Sequence, residues 1–87
     1  MVKELLEYIV KELVDNPNDV EITEEAEGDK TVIFKLKVAE NDLGKVIGKK
    51  GRTANALRVV MRAASAKRGK SSIVKIIDWL EVYFTYI

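Results

Sequence analysis

The chain has 87 residues, of which 47% are hydrophobic and 33% charged, and its formal net charge is +1. This length supports one small domain, and the composition is typical of a globular protein rather than a disordered or fibrous one. The absence of cysteine and histidine excludes disulfides, thiolate nucleophiles, imidazole bases, and zinc or haem sites built on those side chains. We therefore expect a protein without catalytic activity, cofactor or metal. No apolar run approaches the length of a membrane span, and the charged N-terminus is unlike a signal peptide, so we expect a cytoplasmic location.

The spacing of apolar residues predicts that the first half of the chain forms one helix and two strands. Apolar side chains recur at helical intervals over 2–14, which predicts an amphipathic helix that the segment around Pro17 ends. Alternating apolar and polar residues predict a strand around 19–26 and another over 31–38. A turn at 27–30 makes these two strands antiparallel neighbours.

The second half of the chain is predicted to form two helices and a final strand. A short helix, for which Asn41 and Asp42 are the candidate caps, begins near Leu43 and is interrupted by Gly48. A longer helix is predicted over 52–67, and a strand over 73–77 follows it. The predicted order of elements is therefore α-β-β-α-α-β.

Charges are unevenly distributed along the sequence. Residues 1–42 contain 12 acidic and five basic residues, whereas residues 43–77 contain ten basic residues and no acidic one. A solvated surface normally mixes both signs, so the second segment indicates a surface that faces a polyanion such as a nucleic acid. Charge alone leaves open the alternative of a merely basic solvated face.

A turn framed by glycines lies inside this basic segment, between the two predicted helices. Gly48 and Gly51 flank Lys49 and Lys50, and Arg52 begins the following helix. Glycines let the backbone turn tightly and approach another chain closely, and the N–H groups at the start of a helix favour a phosphate. A lysine pair between two glycines has little structural purpose, so we interpret the turn as a phosphate-binding loop.

Two other phosphate-binding motifs are excluded by spacing. A mononucleotide P-loop places four residues between its glycines and a Ser or Thr after its lysine, but three residues separate Gly44 from Gly48, and Lys50 follows Lys49. The dinucleotide fingerprint spaces its glycines by two and then three positions after a strand. Here the glycine spacing is four and then three, after a predicted helix.

The sequence Ile47-Gly48-Lys49-Lys50-Gly51, placed between two helices, matches the Ile-Gly-x-x-Gly motif of KH domains. Together with the order of elements, it makes residues 1–78 resemble a single type II KH domain, of the small stand-alone bacterial KhpA type. The resemblance implies an α+β fold in which a three-stranded sheet is packed on one face by three helices. It also implies binding of single-stranded RNA by a post-transcriptional regulator or RNA chaperone.

The resemblance further implies a role for each residue of the motif and its surroundings. KH domains hold about four nucleotides, and their Gly-x-x-Gly loop clamps the nucleic-acid backbone. On this sequence the clamp corresponds to Gly48, Lys49, Lys50 and Gly51, with flanking phosphate contacts from Lys45, Arg52 and Arg58. An apolar groove floor for the bases corresponds to Ile47, Ala54 and Leu57. A groove floor and a core use the same apolar residues, so Ile47 and Leu57 fit core positions as well.

Residues 79–87 form an aromatic extension beyond the predicted domain and contain four of the six aromatic residues. They are predicted to cap the core, extend the last strand or form a subunit interface; base stacking is disfavoured because the segment has no basic residue. The alternative function is therefore a protein-interaction or dimerisation module with a vestigial nucleic-acid groove. The resemblance also implies a homodimer, or a heterodimer with a KhpB-type KH protein.

Overall fold

The computed structural model describes residues 2–77 and the backbone of residues 83–85. Its elements, in chain order, are helix α1 (Val2–Leu13), strands β1 (Glu21–Glu27) and β2 (Thr31–Lys37), helices α2 (Leu43–Ile47) and α3 (Arg52–Ala66), and strands β3 (Ser71–Ile77) and β4 (Tyr83–Thr85). Short 3-10 turns occupy Pro17–Asp19, Glu40–Asp42 and Lys49–Gly51. The predicted order α-β-β-α-α-β is confirmed through β3, with the bounds shifted by a few residues.

The strands form one mixed sheet in the order β1-β2-β3-β4. β1 pairs antiparallel with β2 as predicted, β2 pairs parallel with β3, and β4 pairs antiparallel with the end of β3. Parallel neighbours require a crossover connection, which α2 and α3 supply here. The three predicted strands are confirmed, and the described residues add β4 as a fourth strand at the edge.

Helices and strands share one apolar core on the sheet face that carries Phe34, Leu36 and Val74. The three helices contribute to the same cluster, with α1 supplying Leu6 and Val10. The largest side chains in this core are 0–1% exposed: Phe34, Leu6, Leu36, Met61 and Ile76. A domain of this size gains its stability from one such core, so the predicted packing of helices on one face of the sheet is confirmed.

A tight connection after α3 places the glycine-framed turn at a defined end of the molecule. Gly69, with φ at +71°, turns the chain after α3, and Ser71 N then donates to Lys30 O to start β3. α3 is about 22 Å long, and β3 is about 23 Å long and runs back beneath it. The start of α3 and the end of β3 therefore lie at the same end of the domain.

The sheet also separates the acidic strand β1 from the basic helix α3 in space. Glu21, Glu24, Glu25 and Glu27 are exposed on β1, which lies at the sheet edge and is separated from β3 by β2. Strand spacing puts β1 and β3 about 10 Å apart, and α3 packs over β3. The acidic edge is thus kept away from the basic helix.

The predicted role of the aromatic extension falls mostly outside the described residues. Of residues 79–87, the structure describes the backbone of Tyr83–Thr85, which pairs with Lys75–Ile77. Core capping and self-association by the extension therefore stay predictions, as does the domain boundary at residue 78.

Candidate nucleic-acid interface

The connection between α2 and α3 reverses the chain through three residues with positive φ angles. The φ and ψ angles are 75° and 172° at Gly48, 57° and 25° at Lys50, and 75° and 15° at Gly51. Gly48 N donates to Gly44 O at 2.8 Å, and Gly51 N donates to Gly48 O at 3.1 Å. Because residues with a Cβ rarely adopt these angles, the two glycines are what allows the turn.

Gly48 is required by space as well as by backbone angle. A Cβ atom at this position would lie 2.7 Å from Thr53 Cβ and 2.8 Å from Thr53 N, and closer still to Thr53 Oγ1. The first turn of α3 therefore packs directly against the glycine. This contact fixes the position of the loop relative to the helix that follows it.

Lys50 is the one residue other than glycine that has a positive φ among the described residues. For an L-residue this left-handed conformation costs about 1–2 kcal/mol relative to the right-handed one. Strained residues of this kind cluster at binding sites. The backbone conformation of Lys50 therefore does not stabilise the fold, and it is typical of a residue whose exposed side chain binds a ligand.

The loop presents cations next to the start of a helix. Lys49, Lys50 and Arg52 are exposed, and the sequence has no acidic residue over 43–77 to neutralise them. Gly51 is the N-cap residue of α3, and no side chain caps this helix end. N–H groups at a helix start and nearby lysines together favour a phosphate group.

The residues predicted to form an apolar groove floor are largely buried. Ala54 and Leu57 are each 3% exposed and belong to the core cluster, against which the half-buried Ile47 packs. Ile47 and Leu57 therefore pack in or against the core, which is the alternative that the sequence left open for them. Contact between any of the three residues and a base stays a prediction.

Lys45, which is predicted to contact phosphate, lies in two ion pairs. Its Nζ atom is 3.0 Å from Asp15 Oδ2 and 3.8 Å from Asp42 Oδ1. The hydrogen bond to Asp15 and the charge of that carboxylate raise the pKa of Lys45 above 10.5. The pair with Asp15 joins α2 to the segment that follows α1. A phosphate contact by Lys45, which stays a prediction, therefore has to compete with two carboxylates.

Asp42 anchors the start of α2 in a way that the sequence did not predict. Its carboxylate makes no capping hydrogen bond to α2; it accepts hydrogen bonds from Asp15 N (3.1 Å), Asn16 N (2.9 Å) and Asn16 Nδ2 (2.9 Å). Burial opposes ionisation of this fully buried side chain, but these hydrogen bonds and the charge of Lys45 bring the pKa of Asp42 below 3.8. The expected helix cap is therefore wrong. The donors lie 26–27 residues away in sequence, where no local pattern signals them.

Arg58 lies on α3, two turns beyond the loop. It is half-buried, and its Nη2 atom donates to Asn55 Oδ1 at 2.8 Å. Five of the ten predicted residues thus form the loop and the first residue of α3, namely Gly48, Lys49, Lys50, Gly51 and Arg52. Arg58 lies two turns further along α3, Lys45 is turned towards Asp15, and the three apolar residues lie in or against the core.

Other kinds of site are not found in the part of the chain that the structure describes. No group of three or more Asp or Glu side chains there is arranged to hold a metal ion. Among the same residues, no helix combines the length and the apolarity that crossing a membrane requires.

Comparison with known proteins is consistent with this architecture. The family described as "KhpA/KhpB, KH domain" matches residues 3–76. Curated relatives named RNA-binding protein KhpA are 51% identical over 75 residues in Clostridium acetobutylicum and in Clostridium perfringens, covering 86% of this chain and 99% of each relative. The protein of that name from Aquifex aeolicus is 47% identical over 76 residues, which is 87% of this chain and 95% of the relative. No solved structure matches the chain significantly. The chain belongs to the KhpA/KhpB family of KH domains.

Proposed function

We propose that this protein binds single-stranded RNA by clamping its sugar–phosphate backbone at the loop Gly48–Gly51, without catalysing a reaction. The observation that carries the proposal is the loop itself. Two positive-φ glycines hold an exposed lysine pair at the uncapped start of α3, inside a segment without acidic residues. The curated relatives are named RNA-binding proteins, which supports the same ligand.

Electrostatics set the expected strength of binding. The two loop lysines and Arg52 offer three phosphate contacts. For three contacts on a single strand, the logarithm of affinity should fall with the logarithm of salt concentration at a slope of about −2. So few contacts predict modest affinity and little dependence on sequence from the loop alone. Binding of this kind suits an RNA chaperone or a post-transcriptional regulator in the cytoplasm.

The experiment is a salt-dependent titration of a fluorescent single-stranded RNA octamer, read by anisotropy. The double variant Lys49→Asp/Lys50→Asp should abolish binding because it reverses the charge of the clamp. The matched control, Lys67→Asp/Arg68→Asp, makes the same charge change at the far end of α3, where both side chains are exposed. Undiminished binding by the first variant, equal loss in both, or binding independent of salt would contradict the proposal. Cleavage of the RNA by purified protein would contradict the absence of catalysis.

A second candidate function, association with another protein copy or with a KhpB-type KH protein, is favoured by an apolar surface on α1 and α3. Large apolar side chains are exposed on both helices, with Tyr8 67%, Val59 50% and Val60 40% exposed. Between the helices lies a cavity of about 230 Å³, lined in part by Ile9 and Leu13. The exposed side chains of Leu13 and Val60 line this cavity, and an apolar patch of this kind is typical of interaction sites.

Sedimentation velocity tests this second candidate. The wild-type chain should dimerise, and Leu13→Glu/Val60→Glu should shift it to monomer, whereas Thr23→Glu on the exposed face of β1 should not. A monomeric wild type would rule out self-association. Loss of the dimer after removal of residues 79–87 alone would place the interface on that segment and not on α1 and α3.

A further inference from the structure

We propose that Asp42 is a positioning residue for RNA binding, which sets the affinity of the loop Gly48–Gly51 by holding α2 in place. This inference rests on the proposed RNA binding and adds a buried determinant of affinity to it. The side chain of Asp42 is 0% exposed and negatively charged, so it neither reaches nor attracts a nucleic-acid strand. Its effect is carried by the short helix that connects it to the loop.

α2 is too short to hold its own position. It has five residues and no side-chain cap at its N-terminal end, whereas isolated helices shorter than about 12–15 residues are marginal in water. Val46 is buried in the core, and Leu43 and Ile47 pack against it. Apolar contacts of this kind are non-directional. The orientation of so short a helix therefore depends on a hydrogen-bonded anchor.

Asp42 supplies this anchor directly before α2. Its carboxylate accepts hydrogen bonds from Asp15 N at 3.1 Å and from Asn16 N and Nδ2 at 2.9 Å each. A hydrogen bond to a charged group typically changes an equilibrium by a factor of about ten or more. Lys45 adds an ion pair with Asp15, but both side chains are exposed, and exposed pairs contribute little. The buried carboxylate is therefore the main link between α2 and residues 15–16.

α2 transmits this link to the loop over a short distance. Its five residues span about 7.5 Å, and Gly48 N donates to Gly44 O at 2.8 Å, so the loop begins within the last turn of α2. On the other side, the first turn of α3 packs against Gly48 through Thr53. The loop is thus held between α3 and α2. Because binding groups need to be held to within about 0.5 Å, a shift of α2 disturbs the clamp.

Charge and position predict opposite effects when the carboxylate of Asp42 is removed. Taking a negative charge away from a protein that binds a polyanion raises the affinity by electrostatics. Loosening α2 lowers the affinity, because a loop that adopts its binding conformation for only part of the time binds more weakly in proportion. A fall in RNA affinity in Asp42→Asn therefore identifies a positioning role.

The test is an anisotropy titration of a single-stranded RNA octamer at several salt concentrations, at a temperature where circular dichroism shows each variant to be folded. Asp42→Asn should bind about five- to tenfold more weakly than the wild type. Its salt slope should stay at about −2, because the cations of the loop remain. The matched control Asp15→Asn removes a neighbouring carboxylate but keeps the backbone donor to Asp42, so its affinity should equal or exceed that of the wild type.

A second variant keeps the test independent of how well Asp42→Asn folds. Asn16→Ala removes the side-chain donor to Asp42, so it should also weaken RNA binding, and the two effects should be less than additive in the double variant. Val74→Ala, in the core of β3, should lower Tm without changing RNA affinity, which separates positioning from a general loss of stability.

Three results would overturn the inference. They are wild-type affinity or higher in Asp42→Asn, wild-type affinity in Asn16→Ala, and an equal loss of affinity in Asp15→Asn or Val74→Ala. In each of these cases RNA binding itself stands, whereas a wild type that binds no octamer contradicts the proposed function.

Discussion

Replacing Gly48 by alanine tests whether the loop is fixed by its backbone rather than by its side chains. Alanine at φ 75° and ψ 172° occupies a region nearly restricted to glycine, at a cost of about 1–3 kcal/mol. Its Cβ would also lie 2.7–2.8 Å from Thr53 Cβ and N, and overpacking of this kind costs about 1–3 kcal/mol more. The smaller entropy of the unfolded alanine chain returns about 0.4–1 kcal/mol. We therefore expect Gly48→Ala to destabilise the fold by about 1–6 kcal/mol.

Thermal unfolding followed by circular dichroism measures this loss. In a domain of this size about 1 kcal/mol shifts Tm by about 4–8 °C, so Tm should fall by at least about 4 °C. Gly44 provides the matched control, since it lies in α2 without a positive φ and a Cβ there meets nothing within 4 Å. Gly44→Ala should raise stability by up to about 1 kcal/mol because alanine is the better helix former. A Gly48→Ala variant that melts with the wild type would refute the reasoning about the loop.

Three further predictions concern the loop, its anchor and the extension. Lys50→Gly should leave the free energy of unfolding unchanged or raise it, because glycine adopts a positive φ without strain. The same variant should bind RNA more weakly in anisotropy titrations. A clear loss of stability would contradict this prediction. Burial of Asp42 favours its protonated form, but hydrogen bonds from Asn16 and Asp15 lower its pKa below 3.8. The stabilising effect of the Asp42 carboxylate is therefore present above that pH, and it is lost as the pH falls through the pKa of Asp42 in the folded protein. Asp42→Asn should therefore lower Tm near neutral pH and flatten the acid dependence of Tm; an unchanged acid profile would show that Asp42 is not the anchor. Truncation after Asp78 should lower Tm but keep the fold, because the buried core runs from Leu6 to Ile76; a chain unfolded by circular dichroism would contradict this.

Local patterns predicted the elements and the loop correctly because the physics behind them is local. The apolar spacing of α1 and the alternation in β2 follow from the geometry of a helix and of a strand. Gly48 and Gly51 mark the turn because positive φ angles at these positions require residues without a Cβ. The accumulation of cations on the loop is likewise readable from residues 43–77 alone.

Such local patterns could not predict contacts between segments that are far apart in the sequence. Asp42 looks like a helix cap in sequence, yet its hydrogen-bond donors are Asp15 and Asn16. Ile33 interrupts the polar face of its strand in the sequence; the sheet places it beside Ile73 and leaves it 7% exposed. Both outcomes depend on which segments the fold brings together, and that is decided by the core as a whole.

The sequence by itself determined the class of fold, the glycine-framed loop and the basic segment around it, since each follows from residue type and spacing. Tertiary structure decided that Lys45 faces two carboxylates, that Ala54 and Leu57 are buried, and that Arg58 donates a hydrogen bond to Asn55. Side-chain partners depend on distances between elements far apart in the chain. Those distances are fixed only when the helices close over the sheet.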